Sequence, residues 1–211
     1  MLRELAGLIS NEIKKGLPGR DIQYRMAPAR RLMTDPLVKD KQDAGVLILL
    51  YPSGKAVNMV LIKRTDYPGV HSGQISFPGG KSEPQDKDIR LTAIREAEEE
   101  LGIDLQQIGL IGMLTELYIP VSNITVFPVI GYLEKKPSFN PGTNEVDYVI
   151  EVELDELLDP GNVRYSWREI MSIKTKIPYY YIYGHRIWGA TAMIISEFIE
   201  VINRGGLRHQ E

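Results

Sequence analysis

The chain of 211 residues contains no cysteine, which excludes a disulfide framework, a thiol nucleophile and every zinc site built on thiolate. It also lacks any run of about eighteen consecutive apolar residues, so no membrane span is expected. Its first residues, MLRELAGLISNEIKKG, are interrupted by charge and hold no apolar core of signal-peptide type. The expectation is a cytoplasmic protein with no membrane partner. Long basic runs are missing as well. The formal net charge is −3, so nucleic acid is not an expected partner. What the chain does have is apolar content, 43% by composition, enough for one domain with a sizeable core and too much for disorder.

Leu2, Leu5, Ile9 and Ile13 recur at helical spacing, and Gly16 and Pro18 end the run. Residues 18–43 are polar and basic with scattered prolines, and read as an extended connection. The chain then divides into 1–43, a helix and connection packed on the domain, and 44–211, the domain itself. The amphipathic helix suits a core cover or a dimer contact, so monomer and homodimer both stay open. Residues 44–51 and 56–62 read as strands joined by a Pro52-Ser53-Gly54 turn. A long loop, Thr65 to Gly80, separates them from a helix over 88–101 that Gly102 ends. Further strands are expected at 108–118, 122–133, 144–153 and within 163–183, with one helical turn at 155–158. Ala190, Ile194, Phe198 and Ile202 mark a last helix. Strands mixed with a few helices, without regular alternation, indicate an α+β or mixed-sheet α/β domain.

The helix over 88–101 carries the chemistry. At about 100° per residue, Glu100 lies roughly 40° to one side of Glu96 and Glu99 roughly 60° to the other. Ile94, Ala97 and Leu101 fall roughly 100° to 160° away. One face can therefore bury against a sheet while three carboxylates share another. Like charges at this spacing repel. A hard divalent cation such as Mg²⁺, which prefers oxygen ligands, relieves the repulsion. Arg95 reaches Glu99 at i,i+4 and is an internal counter-ion. A bare EAEEE string is more often a solvated face; here a Phe-Pro-Gly-Gly turn precedes it, an arginine stands directly before Glu96, and Gly102 follows.

In that setting the segment resembles the Nudix box. Gly80 is followed by five residues and Asp86, and later come Arg95-Glu96-Ala97-Glu98-Glu99-Glu100-Leu101-Gly102-Ile103. The second half matches at every defined position. Two departures, Asp86 in place of glutamate and eight residues rather than seven before Arg95, resemble the branch of the family that hydrolyses coenzyme A. The run Gly73-Gln74-Ile75-Ser76-Phe77-Pro78-Gly79-Gly80 resembles that branch, as do Leu61 to Thr65, Asn144-Glu145-Val146 and Ile187 to Ala192. Tyr67-Pro68-Gly69-Val70 stands where the branch has a more basic stretch.

The resemblance covers roughly residues 44–200 and implies an α/β/α sandwich around a mixed β-sheet, with extra N-terminal and C-terminal helices. It implies Mg²⁺ or Mn²⁺ held by Glu96, Glu99 and Glu100 together with the backbone carbonyl of Gly80. It implies that Arg95 orients a glutamate rather than touching substrate. Glu145 completes the metal site, acts as general base, or is a plain loop carboxylate; Glu96 is its rival as base. Arg64, a permanently charged planar donor, pairs with a phosphate or is a surface arginine at a strand end. His71 contacts phosphate or braces its loop, and Gln74 is a further substrate contact.

The aromatic run Tyr179-Tyr180-Tyr181 and Tyr183, taken at period two, reads as a half-buried strand face rather than a base-stacking platform. The expected partner is a small nucleotide-type substrate, with coenzyme A or its acyl derivatives first. ADP-ribose, NADH, dinucleoside polyphosphates and oxidised nucleotides are the alternatives. A non-catalytic nucleotide sensor on the same fold is a third possibility. Sensors of that kind generally lack the box glutamates, all of which are present here.

Overall fold

The stretch Ala44–Tyr51 is apolar at successive positions, which suits a strand only when both of its faces are covered. In the computed structural model, residues 1–28, 41–66, 68, 72–142, 145–170 and 172–206 are described. The elements run α1 (Leu2–Lys15), α2 (Arg20–Tyr24), β1 (Gln42–Ser53), β2 (Ala56–Arg64), β3 (Ile75–Ser76), β4 (Gly79–Lys81) and α3 (Ile89–Leu101). They continue with β5 (Gly109–Met113), β6 (Leu117–Ile119), β7 (Ile124–Tyr132), β8 (Val146–Glu153) and α4 (Leu154–Leu158). Last come β9 (Val163–Ile170), β10 (Ile173–Ile182), β11 (His185–Trp188) and α5 (Gly189–Arg204).

Strand β1 is central and is covered twice. Leu47, Leu49 and Tyr51 share a buried cluster with Ala93, Ala97 and Leu101 of α3. Ile48 and Leu50 belong to the cluster on the opposite face, with Ile194, Phe198 and Val201 of α5 and Leu5 and Ile9 of α1. Strand β1 runs parallel to β7 from Gln42↔Ile124 to Leu50↔Tyr132. Strands β5 and β6 add antiparallel to β7, and β8 adds antiparallel to β2. The result is a mixed sheet between helical layers, the sandwich that the resemblance implies.

Two local features position the site. Strands β1 and β2 pair only from Leu50↔Met59 to Ser53↔Ala56. Beyond that they part, and the segment between β2 and α3 fills the wedge. Strand β3 pairs with β2 at Ile62 and Lys63, and β4 pairs with β1 at Ala44 to Val46. The sequence reading takes all of Thr65 to Gly80 as loop. Strands of two and three residues carry no periodic signal and exist only because these two edges receive them. The second feature is Gly45. A Cβ there would stand 2.8 Å from the Ala93 amide nitrogen, so glycine lets α3 lie directly on β1.

The connection expected to be extended over 18–43 contains helix α2, whose five residues are too few to show a period; its residues 29–40 lie outside the described residues. Helix α2 is held by a buried carboxylate. Glu197 of α5 is fully buried and accepts from Gly19 N–H at 3.0 Å, Gln23 Nε2 at 2.7 Å, Thr115 N–H at 3.2 Å and Thr115 Oγ1 at 2.6 Å. Each donor neutralises part of a charge that burial would otherwise destabilise. Truncation as Glu197→Ala would strand these donors in the core. It is expected to lower unfolding free energy by about 3 kcal/mol, read from the urea midpoint, with faster amide exchange in residues 17–27. An unchanged midpoint would show that the cluster holds nothing.

Candidate active site

Helix α3 begins where the Asp88 side chain caps it, accepting from Arg90 N–H at 2.8 Å and Leu91 N–H at 3.3 Å. It ends at Gly102, whose φ of 62° is left-handed and whose N–H bonds the Glu98 carbonyl at 2.9 Å. These two stops set which carboxylates face the wedge.

Arg95 is the hub. Its Nε donates to Asp86 Oδ1 at 3.1 Å and its Nη2 to Asp86 Oδ2 at 3.0 Å, a two-pronged pair. Nη2 also donates to the Lys81 carbonyl at 3.3 Å. Nη1 lies 2.9 Å from Glu96 and 3.5 Å from Glu99. Asp86 further accepts from Glu83 N–H at 3.0 Å and Thr92 Oγ1 at 2.9 Å. With Arg95 donating first and these others adding to it, the Asp86 carboxyl sits far below the usual carboxylate range.

The three box glutamates are not equivalent. Glu100, 3% exposed, accepts from Gly79 N–H at 2.8 Å and pairs with Arg64 Nη1 at 3.1 Å. Burial pushes its carboxyl up to about 7 against those two contacts, and the charges of Glu96 and Glu145 push the same way. Glu96 is also raised, first by burial, with Arg95 opposing and Glu99 and Glu145 adding. Its carboxylate lies against Gly80, where any Cβ would collide with it. Glu99 is 63% exposed, at the outer lip. Glu98 faces away and accepts from Leu105 N–H at 2.7 Å, a structural role.

Glu145 comes just before β8, and its carbonyl accepts from Thr65 N–H at 3.0 Å. Gln74 accepts at its carbonyl from Arg64 N–H at 3.0 Å, which ties β2 to the pre-box segment. His71 lies outside the described residues. The fold thus brings Arg64, Gly80, Arg95, Glu96, Glu99, Glu100 and Glu145 to one place, with Gln74 at its border. A groove of about 700 Å³ is lined by residues of 136–151 that include Phe139, Pro141, Asp147 and Val149.

The sequence reading leaves Asp86 without a job beyond its box position, and it misses the Gly79 amide altogether. The box spacing signals Asp86; a backbone donor leaves no trace in a sequence. Formal charge at the site is five carboxylates, Asp86, Glu96, Glu99, Glu100 and Glu145, against two guanidinium groups, Arg64 and Arg95. That excess favours a bound cation. Among the described residues, no three acids or histidines converge to ligand spacing around a single point.

The NUDIX domain family pattern matches residues 41–178. The chain is 36% identical over 200 residues to "Nudix hydrolase 15, mitochondrial" of Arabidopsis thaliana, covering 92% of this chain and 66% of that protein. It therefore spans about two thirds of that plant relative's length. It is 32% identical over 193 residues to "Mitochondrial coenzyme A diphosphatase NUDT8" of Homo sapiens, covering 90% of this chain and 76% of that one. A MutT/nudix family protein from Enterococcus faecalis shares the fold with a TM-score of 0.54 at 15% identity, covering 90% of this chain and 76% of its own.

The Asp86–Arg95 pair makes stability depend on pH. A carboxyl depressed in the folded state contributes stability above its unfolded pKa, about 4, and loses it as pH falls toward the folded value. Asp86→Asn is expected to melt at lower temperature than the parent at neutral pH, and the gap is expected to narrow progressively as pH falls from about 4 toward the folded value. A gap that is the same in acid as at neutral pH would mean that lost packing, and not the ion pair, matters.

Proposed function

This chain belongs to the Nudix hydrolase family, and from that premise we propose that it hydrolyses the diphosphate linkage of coenzyme A or an acyl-coenzyme A. The products are adenosine 3′,5′-bisphosphate and 4′-phosphopantetheine or its acyl form. One observation carries the choice of substrate: 32% identity to a coenzyme A diphosphatase over 90% of the chain. The segment Gly73 to Gly80, which fills the wedge beside the box, supports it.

The residues fit a divalent cation by two features. The donors are hard oxygens in excess over their arginine partners, and the Cβ-free backbone of Gly80 lies against the Glu96 carboxylate. Glu96, Glu99, Glu100 and the Gly80 carbonyl would hold Mg²⁺ or Mn²⁺, with the arginine contacts exchanged for the ion. Such an ion, when bound, offsets phosphate charge and lowers the pKa of a coordinated water.

The remaining work falls to the protein. Arg95, fixed by Asp86, lies 2.9 Å from Glu96 and 3.5 Å from Glu99 and so holds the two carboxylates near one another until an ion takes its place. Arg64, 3.1 Å from Glu100, is a phosphate donor in waiting, since its planar fork suits a diphosphate oxygen once Glu100 turns elsewhere. Glu145, whose charge is felt at Glu96 and Glu100, takes a proton from the attacking water, with Glu96 as its rival. In the balance of the reaction, water adds a hydroxyl to one phosphorus, the bridging oxygen leaves with the other, and the released proton passes through the base to solvent. The groove of about 700 Å³ lined by Phe139, Pro141, Asp147 and Val149 has the volume of a small-molecule site, and we assign it the portion of substrate distal to the diphosphate.

The test is a substrate panel with Mg²⁺, resolved by product chromatography: coenzyme A, acetyl-coenzyme A, ADP-ribose, NADH and a diadenosine polyphosphate. Dominant turnover of coenzyme A to adenosine 3′,5′-bisphosphate is expected. Glu99→Gln is expected to lower that rate by at least on the order of a hundredfold without changing the melting temperature. Preference for ADP-ribose would retain the reaction and overturn the substrate. Full turnover by Glu99→Gln would overturn the metal assignment.

A further inference from the structure

Residues 163–188 fold apart from the main sheet as the antiparallel set β9–β10–β11. Its inner end is core: Tyr180, Ile182 and Ile187 are buried with α5. Its outer end is a two-stranded ribbon, because β11 covers β10 only from Tyr179 to Ile182, whereas β9 and β10 continue pairing to Ile170↔Ile173. That ribbon exposes Tyr165, Trp167 (60% exposed) and Ile173. Ribbon ends are ordinarily polar.

Charge is segregated in the same place. The stretch holds Arg164, Arg168, Lys174, Lys176 and Arg186 against Glu169 alone. It is thus formally +4, and since the chain totals −3, the rest carries −7. Each of the five cations lies over an aromatic ring of the same sheet. Arg164 sits over Tyr181 at 4.2 Å and Arg186 over Tyr179 at 4.2 Å; Arg168 is 5.3 Å from the Trp188 ring. On the other face Lys176 sits over Tyr165 at 3.7 Å and Lys174 is 5.4 Å from Trp167. Such pairs occur roughly once per 70–80 residues, so five within one small sheet form an array. Among the described residues, none of these cations makes an ion pair with a carboxylate within 4.0 Å. Stacking occupies the flat faces of the guanidinium groups and leaves their edge N–H groups to donate outward.

We propose that one face of the outer β9–β10 ribbon docks on an anionic lipid surface, with Tyr165 and Trp167 at the headgroup boundary and Lys174 and Lys176, which share that face by register, against lipid phosphates. Aromatic side chains suit that boundary, and juxtaposed basic side chains are drawn to anionic headgroups. The contact is peripheral; no helix among the described residues is long and apolar enough to cross a membrane. The expectation of no membrane partner rests on the lack of a long apolar run, which a peripheral contact does not need; the register places Tyr165 and Trp167 beside Lys174 and Lys176 on one face. Two other occupants fit less well. A second copy meeting this ribbon end to end would oppose positive charge to positive charge. A single-stranded nucleic acid needs open ring faces for stacking, and here the cations cover them.

Flotation of the full chain with vesicles tests this. Phosphatidylcholine vesicles containing phosphatidylserine are expected to carry the protein at low salt and release it at high salt, whereas phosphatidylcholine alone carries none. In Trp188→Phe, Trp167 is the one tryptophan left, and its emission is expected to shift to the blue on binding. The double variant Lys174→Glu, Lys176→Glu is expected to bind at least tenfold more weakly, with unchanged melting temperature and hydrolase rate. Three outcomes would overturn the proposal: no binding to the anionic vesicles, binding indifferent to the double charge reversal, or a solution dimer or single-stranded RNA complex that buries Trp167 while vesicles do not.

Discussion

Repulsion among carboxylates is the constraint on which the site depends. Glu96, Glu99 and Glu100 stand within a turn and a half of one helix, and the fold brings Glu145 and Asp86 to the same edge. Two arginines keep this arrangement intact. Arg95 is committed to Asp86 by a two-pronged contact and still reaches Glu96 and Glu99 with its remaining nitrogen. Arg64 holds Glu100 from the opposite side. The helix can form because these partners are present, and the uncompensated remainder is what makes the place attractive to a cation.

That arrangement exists only because the sheet opens. Had β1 and β2 paired along their full lengths, Gly79 and Gly80 would have no strand edge to join and the Gly79 amide could not reach Glu100. The close seat of α3 at Gly45 then brings Glu96 onto the Gly80 backbone. Strand separation, a glycine on β1 and a glycine on β4 together determine a carboxylate position to within a side chain's width. None of the three carries any chemistry itself.

The molecule also keeps its charges in separate regions. Acids collect at the helix edge, and five basic residues without an ion pair among the described residues collect on the β9–β10–β11 set, where aromatic rings hold them in place. A site that handles phosphate anions and a ribbon rich in unpaired cations make different electrostatic demands, and placing them on different sheets prevents each from neutralising the other.

Much of this was legible in the sequence, for reasons particular to each element. Helix α3 announces itself because the apolar Ile94, Ala97 and Leu101 and the terminal Gly102 are local and periodic. Strand β1 shows as an apolar run because two layers cover it. The box spacing identifies the family and with it the sandwich. Tertiary structure alone decided the rest. Strands β3 and β4 are too short to have a pattern and depend on edges supplied by β1 and β2. The unequal burial of Glu96, Glu99 and Glu100 depends on what lies opposite each one, which helical angle does not reveal. The box spacing marks Asp86 but not its two-pronged grip on Arg95, and Glu197 binds donors from residues as distant as Gly19 and Thr115. Local order follows from neighbours along the chain, whereas the charge state and partners of a side chain follow from neighbours in space, and only folding supplies those.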